Sequence, residues 1–396
     1  MERLYAIHQQ LLINLKPIYR NEIIDQLPWN DRLLGIVGAR GVGKTTLMLQ
    51  YILEKYQNDR KALYVSLDDI SFPFDSLINF TDDFVKIGGK HLFIDEIHKY
   101  YNWSLELKNI YDRYPDLKVT FSGSSILDIY KSTSDLSRRA LVFTLHGLSF
   151  RQFLQIETGL KFPVFSLEEI LLNHQKISYD INIKIKPFAY FNDYLKHGYY
   201  PFYLQNKEFY AMRLSNTLNQ IVETDLPLIQ SIDLKNINKL KRFIHILARE
   251  IPYKPNISKL STALEISWQT IILYLNYLEK ARIISMIYPM AKNVSLLSKP
   301  EKIFLQNPNL FYVFKNTIDN KGSVRESFFI SQMVHHTITI PKNGDFMIDE
   351  KYVFEIGGKN KTYHQIANTP HSFIASDDVE FGSGNKIPLW LFGFLY

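Results

Sequence analysis

The stretch Gly38-Ala39-Arg40-Gly41-Val42-Gly43-Lys44-Thr45, continued by Thr46, restricts this chain to very few folds. It fits G-x-x-x-x-G-K-[ST], a loop that cradles phosphates when it joins a buried strand to a helix. Both neighbours can be read in the sequence. Leu33-Leu34-Gly35-Ile36-Val37 is an apolar run of strand length, and the residues from Lys44 onward are good helix formers at helical spacing. Glycines let the backbone turn its N–H groups inward without a Cβ clash, and the helix N-terminus adds partial positive charge toward an anion. Lys44 is then placed to reach the β- and γ-phosphates of a nucleotide, and the Thr45 hydroxyl to ligate Mg2+. Gly38, Ala39, Arg40, Gly41, Val42, Gly43, Lys44, Thr45 and Thr46 are therefore the expected contacts for ATP and its Mg2+.

Such a loop belongs in a parallel sheet, and the sequence supplies the other strands: Ala62–Leu67, His91–Ile94, Val119–Phe121 and Ala140–Leu145. Helical patterns such as Trp103–Tyr114 lie between them, the alternation of an α/β sheet with helices on its faces. The run from His91 ends in Asp95-Glu96. At the carboxyl end of a buried strand, Asp95 would hold Mg2+ through water and Glu96 would orient and polarise an attacking water. The pair favours hydrolysis of ATP over binding alone. Phe121-Ser122-Gly123-Ser124-Ser125 places small hydroxyls at the next strand end, where Ser122 or Ser124 could sense the γ-phosphate. Arg138 and Arg139 offer a guanidinium for developing phosphate charge, from the same chain or a neighbouring one.

Composition narrows the setting. The 396 residues allow two to four domains, with 46% apolar and 22% charged residues, as in soluble globular proteins. No Cys is present, which excludes disulfides, thiolate metal sites and cysteine nucleophiles. The N-terminus lacks a signal-peptide layout, and no apolar run approaches the ~18 residues of a membrane span. A cytoplasmic location without a membrane partner is the expectation. Lys plus Arg, at 46, against Asp plus Glu, at 40, gives +6, which permits contact with nucleic acid without arguing for it.

Gly38–Leu47, Phe93–Lys99 with Trp103, Phe121–Ser125, Arg139, and Leu148-Ser149-Phe150-Arg151-Gln152-Phe153-Leu154 follow one another in an order that resembles the bacterial and archaeal AAA+-type ATPases with a C-terminal domain of unknown function. The resemblance implies the loop and acidic-strand roles for Lys44, Thr45, Asp95 and Glu96, a sensor role for Ser122 or Ser124, and an arginine role for Arg139. The family carries Gly at the place of Arg138. Further on, His197-Gly198-Tyr199-Tyr200-Pro201 resembles the element that opens the family's second half.

Ile257–Leu264, the turn Glu265-Ile266-Ser267 and Trp268–Lys280 have the layout of a helix-turn-helix leading into a strand, as in a winged helix. The second helix is rich in Trp, Ile, Tyr and Leu and carries no Lys or Arg before Lys280, which argues against a simple reader of DNA. The preceding segment is basic, with Lys235, Lys239, Lys241, Arg242, Arg249 and Lys254.

Near the C-terminus, Asp345–Ile348 and Tyr352–Ile356 flank a turn at Asp349-Glu350-Lys351. Folding there pairs Phe346 with Phe354 and puts Asp345 opposite Glu355 on one face. Two such carboxylates need a cation between them. With Glu326 from a helix they make a second candidate metal site, which resembles the restriction-endonuclease-like core of Asp then Glu-x-Lys. Position 357 is Gly where that pattern has Lys, and Lys359 is the expected substitute.

The expected plan is an ATP-binding domain over 1–155, a helical connector over 156–234, a winged helix over 235–292 and a nuclease-like α/β domain over 293–396. The leading function is a Mg-dependent ATPase acting as a switch or motor on or near nucleic acid. An ATP-controlled metal-dependent nuclease and an ATP-gated scaffold for protein partners are the alternatives. A homo-oligomer follows if Arg139 serves a neighbour's nucleotide.

Overall fold

Five strands of the first half are parallel, so all their carboxyl ends fall on one edge. These are β1 (Leu33–Val37), β2 (Ala62–Ser66), β3 (His91–Asp95), β4 (Lys118–Gly123) and β5 (Leu141–Thr144), in the spatial order β2-β3-β4-β1-β5. The computed structural model describes residues 1–15, 19–69, 76–123, 136–227, 234–290, 299–314 and 321–396, and of Leu234 and Lys235 only the backbone. Ser124 lies outside the described residues. The chain divides into two compact units, Met1–His146 and Gly147–Tyr396.

Every residue of β1 and β3 is buried, as expected of strands covered on both faces. The expected strands all form, the first with the bounds expected and the others within two residues of theirs. On one face, Phe80 and Phe84 of helix α3 (Leu77–Lys86) and Trp103, Leu107 and Ile110 of helix α4 (Trp103–Arg113) pack with Leu92, Ile94, Val119 and Phe121. Truncating a ring such as Phe121 to Ala in this core would cost about 3–5 kcal/mol. Gly35 makes the close fit possible, because a Cβ there would sit 2.7 Å from the Phe121 ring. Helix α1 (Glu2–Asn14) buries Leu4, Tyr5, His8 and Leu12, while Leu11 is exposed. Helix α2 (Lys44–Lys55) starts at the loop, and its Tyr51 stacks on Trp29 with ring centroids 3.9 Å apart.

The second unit opens with helix α5 (Phe150–Thr158), which starts in a capping box between Ser149 and Gln152. Helix α6 (Leu167–Lys184) starts in another between Ser166 and Glu169. Helix α7 (Leu234–Glu250) precedes the helix pair α8 (Ile257–Leu264) and α9 (Trp268–Lys280), whose bounds coincide with the expected helix-turn-helix. Glu265 turns the chain with φ 53°, and the Ser267 side chain caps α9 by accepting from Thr270 N.

One seven-stranded sheet runs through the rest of the unit. Its members are β6 (Ile284–Pro289), β7 (Lys302–Leu305), β8 (Ile338–Ile340), β9 (Phe346–Ile348), β10 (Tyr352–Gly357), β11 (Ser372–Ser376) and β12 (Lys386–Pro388), in the order β12-β11-β10-β9-β8-β6-β7. The strands after the helix pair thus share a sheet with the C-terminal hairpin. That hairpin pairs Ile348 with Tyr352, Met347 with Val353 and Phe346 with Phe354, the register expected from the sequence. Helix α10 (Lys321–Gln332) lies on this sheet, with Phe329 stacked on Phe346 and packed against Phe354 and Phe392.

Candidate nucleotide site

The strand order decides which side chains meet. Because β4 lies between β1 and β3, Ser122 at its carboxyl end sits between the loop that follows β1 and the acids that end β3. The loop itself needs its glycines. A Cβ on Gly38 would lie 2.3 Å from the Leu145 carbonyl oxygen, and Gly41 and Gly43 have φ of 87° and 99°. Lys44 is buried with its side chain folded over the loop, and Nζ donates to the carbonyls of Gly38 (2.9 Å) and Ala39 (3.0 Å). Val42 is buried beside Gly38, whereas Thr46 faces solvent.

Asp95 is the hub. Its Oδ2 accepts from Thr45 Oγ1 at 2.5 Å and from the Tyr64 hydroxyl at 2.7 Å. Its Oδ1 accepts from Ser122 Oγ and from the Glu96 backbone N–H at 3.1 Å. Thr45 and Asp95 therefore present hard oxygen atoms side by side next to the phosphate loop. That donor set suits Mg2+, which takes one or two protein oxygens and completes its shell with water and phosphate.

Glu96 follows in the left-handed region, with φ 53°, which costs a residue with a Cβ about 1–3 kcal/mol. His98 Nε2 lies 3.4 Å from Glu96 Oε2. Burial, and then the nearby charges of Lys99, Lys44 and Arg40, push the His98 pKa down to about 3, so the ring is neutral at physiological pH.

Arg139 is not brought to this site. It precedes β5 at the amino end of the sheet, where Leu141 is level with Leu34. There it makes a two-pronged pair with Asp112 of α4, at 2.9 and 3.0 Å. Four strand residues separate that level from Gly38, about 13 Å. Arg138 is exposed. Tyr64 and His98 also stand at the site, at positions that no motif in the sequence marks with a role. The signal for Tyr64 is faint: a polar-tipped aromatic inside the otherwise apolar run of β2.

In the second unit, Glu326, Asp345 and Glu355 lie close enough to act on one another's charge, with Lys302 and Lys361 among them. Burial, and then the Asp345 charge, raise the Glu326 pKa to about 7. The lysine that meets Glu355 is Lys361, paired with its Oε1, and not Lys359, which is exposed. Gly357 is the reason: a Cβ there would stand 2.7 Å from Cβ and Cγ of Lys361, so the missing side chain leaves the space through which Lys361 doubles back. Among the described residues Glu355 Oε2 is buried without a hydrogen-bond partner, and Lys302 Nζ stands 4.0 Å from Asp345 Oδ1. Among the described residues no three acidic or histidine side chains stand arranged to hold a metal ion.

On α9, Ile271, Tyr274, Leu275, Tyr277 and Leu278 are all buried. Its apolar character is thus mostly core, and its outer face presents Trp268, Gln269, Leu273 and Lys280. On α7, Lys239 donates to the Glu265 carbonyl and Lys241 pairs with Glu223, while Arg242 and Arg249 are exposed.

A parallel sheet of this order, with a phosphate loop after β1 and paired acids after β3, defines a P-loop nucleotide-binding domain. Residues 30–154 match the family model described as an AAA domain, which supports ATP binding and ATPase activity. Residues 189–318 match a domain of unknown function, DUF8612. Over 402 aligned residues the chain is 28% identical to the uncharacterized protein MJ1637 of Methanocaldococcus jannaschii, covering 92% of this chain and 84% of the relative. Two solved structures are similar at a TM-score of 0.25. AMPPCP-bound DnaA from Aquifex aeolicus is 15% identical, over 70% of this chain and 88% of its own, and the S. cerevisiae Hsp104–ADP complex is 17% identical, over 71% and 39%. At that score neither likeness carries an argument. Among the described residues no helix is long and apolar enough to cross a membrane.

Proposed function

We propose that this chain is a Mg-dependent ATPase that works as a nucleotide-driven switch on or near nucleic acid. The observation that carries the reading is the placement of Asp95, bonded to Thr45 of the loop on one side and Ser122 of β4 on the other, with Glu96 next in the chain. Gly38 to Thr46 would wrap the phosphates, and Lys44 Nζ would exchange two backbone carbonyls for phosphate oxygens. Thr45 and Asp95 would hold the Mg2+, which when bound neutralises charge on the β- and γ-phosphate oxygens. Glu96, beside the neutral His98, would orient the water. Lys44→Ala is expected to abolish ATP binding, and Glu96→Gln to leave binding and remove turnover. Both variants turning ATP over at the wild-type rate would sink the reading.

The nucleic-acid part rests on α8 and α9 with the exposed Arg242, Arg249 and Lys280. Binding to a DNA or RNA duplex should then weaken steeply with salt. A flat response would favour a surface for protein partners.

A second reading, a nuclease effector under ATP control, is favoured by one specific observation. Glu355 carries a buried oxygen that has no hydrogen-bond partner among the described residues, in a cluster that also contains Asp345, Glu326 and two lysines. Cleavage of DNA or RNA with Mn2+ or Mg2+ that Asp345→Ala removes would support it.

A further inference from the structure

We propose that Tyr64 is a positioning residue for the metal-side acid: its phenol, fixed in strand β2, holds the Asp95 carboxylate in the orientation that serves the Mg2+ of a bound nucleotide. The inference rests on the nucleotide reading above and adds a residue that no sequence motif marks. Tyr64 is 5% exposed, and its hydroxyl donates to Asp95 Oδ2 at 2.7 Å. The same oxygen takes the Thr45 hydroxyl.

The two donors differ in what they are attached to. Thr45 belongs to the phosphate loop, and its oxygen is one that a metal would claim. Tyr64 belongs to a strand paired with β3 along its length, with Tyr64 opposite Phe93 and Ser66 opposite Asp95. Its backbone N–H is itself bound, donating to His8 Nδ1 of α1 at 3.0 Å. When the loop rearranges around phosphate, the Tyr64 bond is the contact to Oδ2 that does not have to move. On Oδ1, Ser122 and the Glu96 N–H do the same work. With Tyr64 removed, Oδ2 loses the donor that strand β2 supplies.

The test is equilibrium titration of the full-length chain with a fluorescent ATP analogue, with and without Mg2+, for wild type, Tyr64→Phe and Lys44→Ala. The expected result for Tyr64→Phe is unchanged affinity without Mg2+ and a loss of about tenfold in the tightening that Mg2+ provides, the lower end of what a hydrogen bond to a charged group contributes. The half-saturating Mg2+ for turnover should rise in parallel. A Mg2+ response equal to wild type overturns the inference. If Lys44→Ala binds as tightly as wild type, the nucleotide reading has failed. If Lys44→Ala loses binding and Tyr64→Phe keeps the full response, only the role of Tyr64 falls. Should Tyr64→Phe lower thermal stability as well, the Asp95→Asn background decides. There Tyr64→Phe must leave the Mg2+ response unchanged, and a further loss overturns the proposal.

Discussion

His8 and His91 are held neutral by burial, and this gives the first unit an acid-labile core. His91 stacks on Phe93 at 4.0 Å, with Nδ1 against the Tyr56 hydroxyl and Nε2 against Thr120 Oγ1, both at 2.9 Å. Burial pushes its pKa down to about 3 and that of His8 to about 4. In the unfolded chain each histidine titrates near 6.5. Between that value and the folded pKa the unfolded state binds more protons, so stability falls as pH drops. Each group removes about 1.4 kcal/mol per pH unit once well below 6.5. Urea unfolding at pH 7 and pH 5 should therefore show a clear loss at pH 5. His91→Phe keeps the stacked ring but strands two hydroxyls, so it should lower stability at pH 7 by about 1–3 kcal/mol and flatten the acid limb. Equal acid sensitivity in wild type and variant would contradict this account.

At the scale of elements, the fold of the first unit could be read closely because each strand is a short apolar run bounded by turn residues. The residues in fixed spacing that meet at the sheet's carboxyl edge, Lys44, Thr45, Asp95 and Glu96, are candidates readable for the same reason. Tyr64 was not, since its partner lies 31 positions away and only the pairing of β2 with β3 brings them together. Lys361 was not legible either. Strand parity pointed to Lys359, but Gly357-Gly358 ends β10, so the chain leaves the strand and a lysine two residues later returns over the gap. This makes a prediction about one element. Gly357→Ala should expel Lys361 as effectively as Lys361→Ala removes it, leaving the buried Glu355 without its ammonium, at about 1–3 kcal/mol. The two changes share one interaction, so the double variant should cost little more than either alone. Additive losses in chemical denaturation would show that Lys361 does not depend on the space at Gly357. The helix pair α8–α9 is the converse case: the spacing of its apolar residues marks two helices, whereas their burial depends on the sheet and helices around them.

For the whole molecule, the position of Arg139 bears on assembly. Its guanidinium is engaged with Asp112 at the edge of the sheet opposite the phosphate loop, so among the described residues of its own unit it stands about a strand's length from the nucleotide site. If Arg139 serves catalysis, the phosphate it serves belongs to another copy of the chain. The expectation is that Arg139→Ala binds ATP with wild-type affinity and loses turnover by about a thousandfold, the lower end of what a donated arginine contributes. Mixing it with Lys44→Ala should then restore activity, because the Lys44 variant, unable to bind ATP, still presents Arg139 to its neighbour. Light scattering should show the mass rising when ATP and Mg2+ are added. Wild-type turnover in Arg139→Ala, or a mixture no more active than its parts, would assign this arginine to its pair with Asp112 alone, and the switch would then work as a single chain.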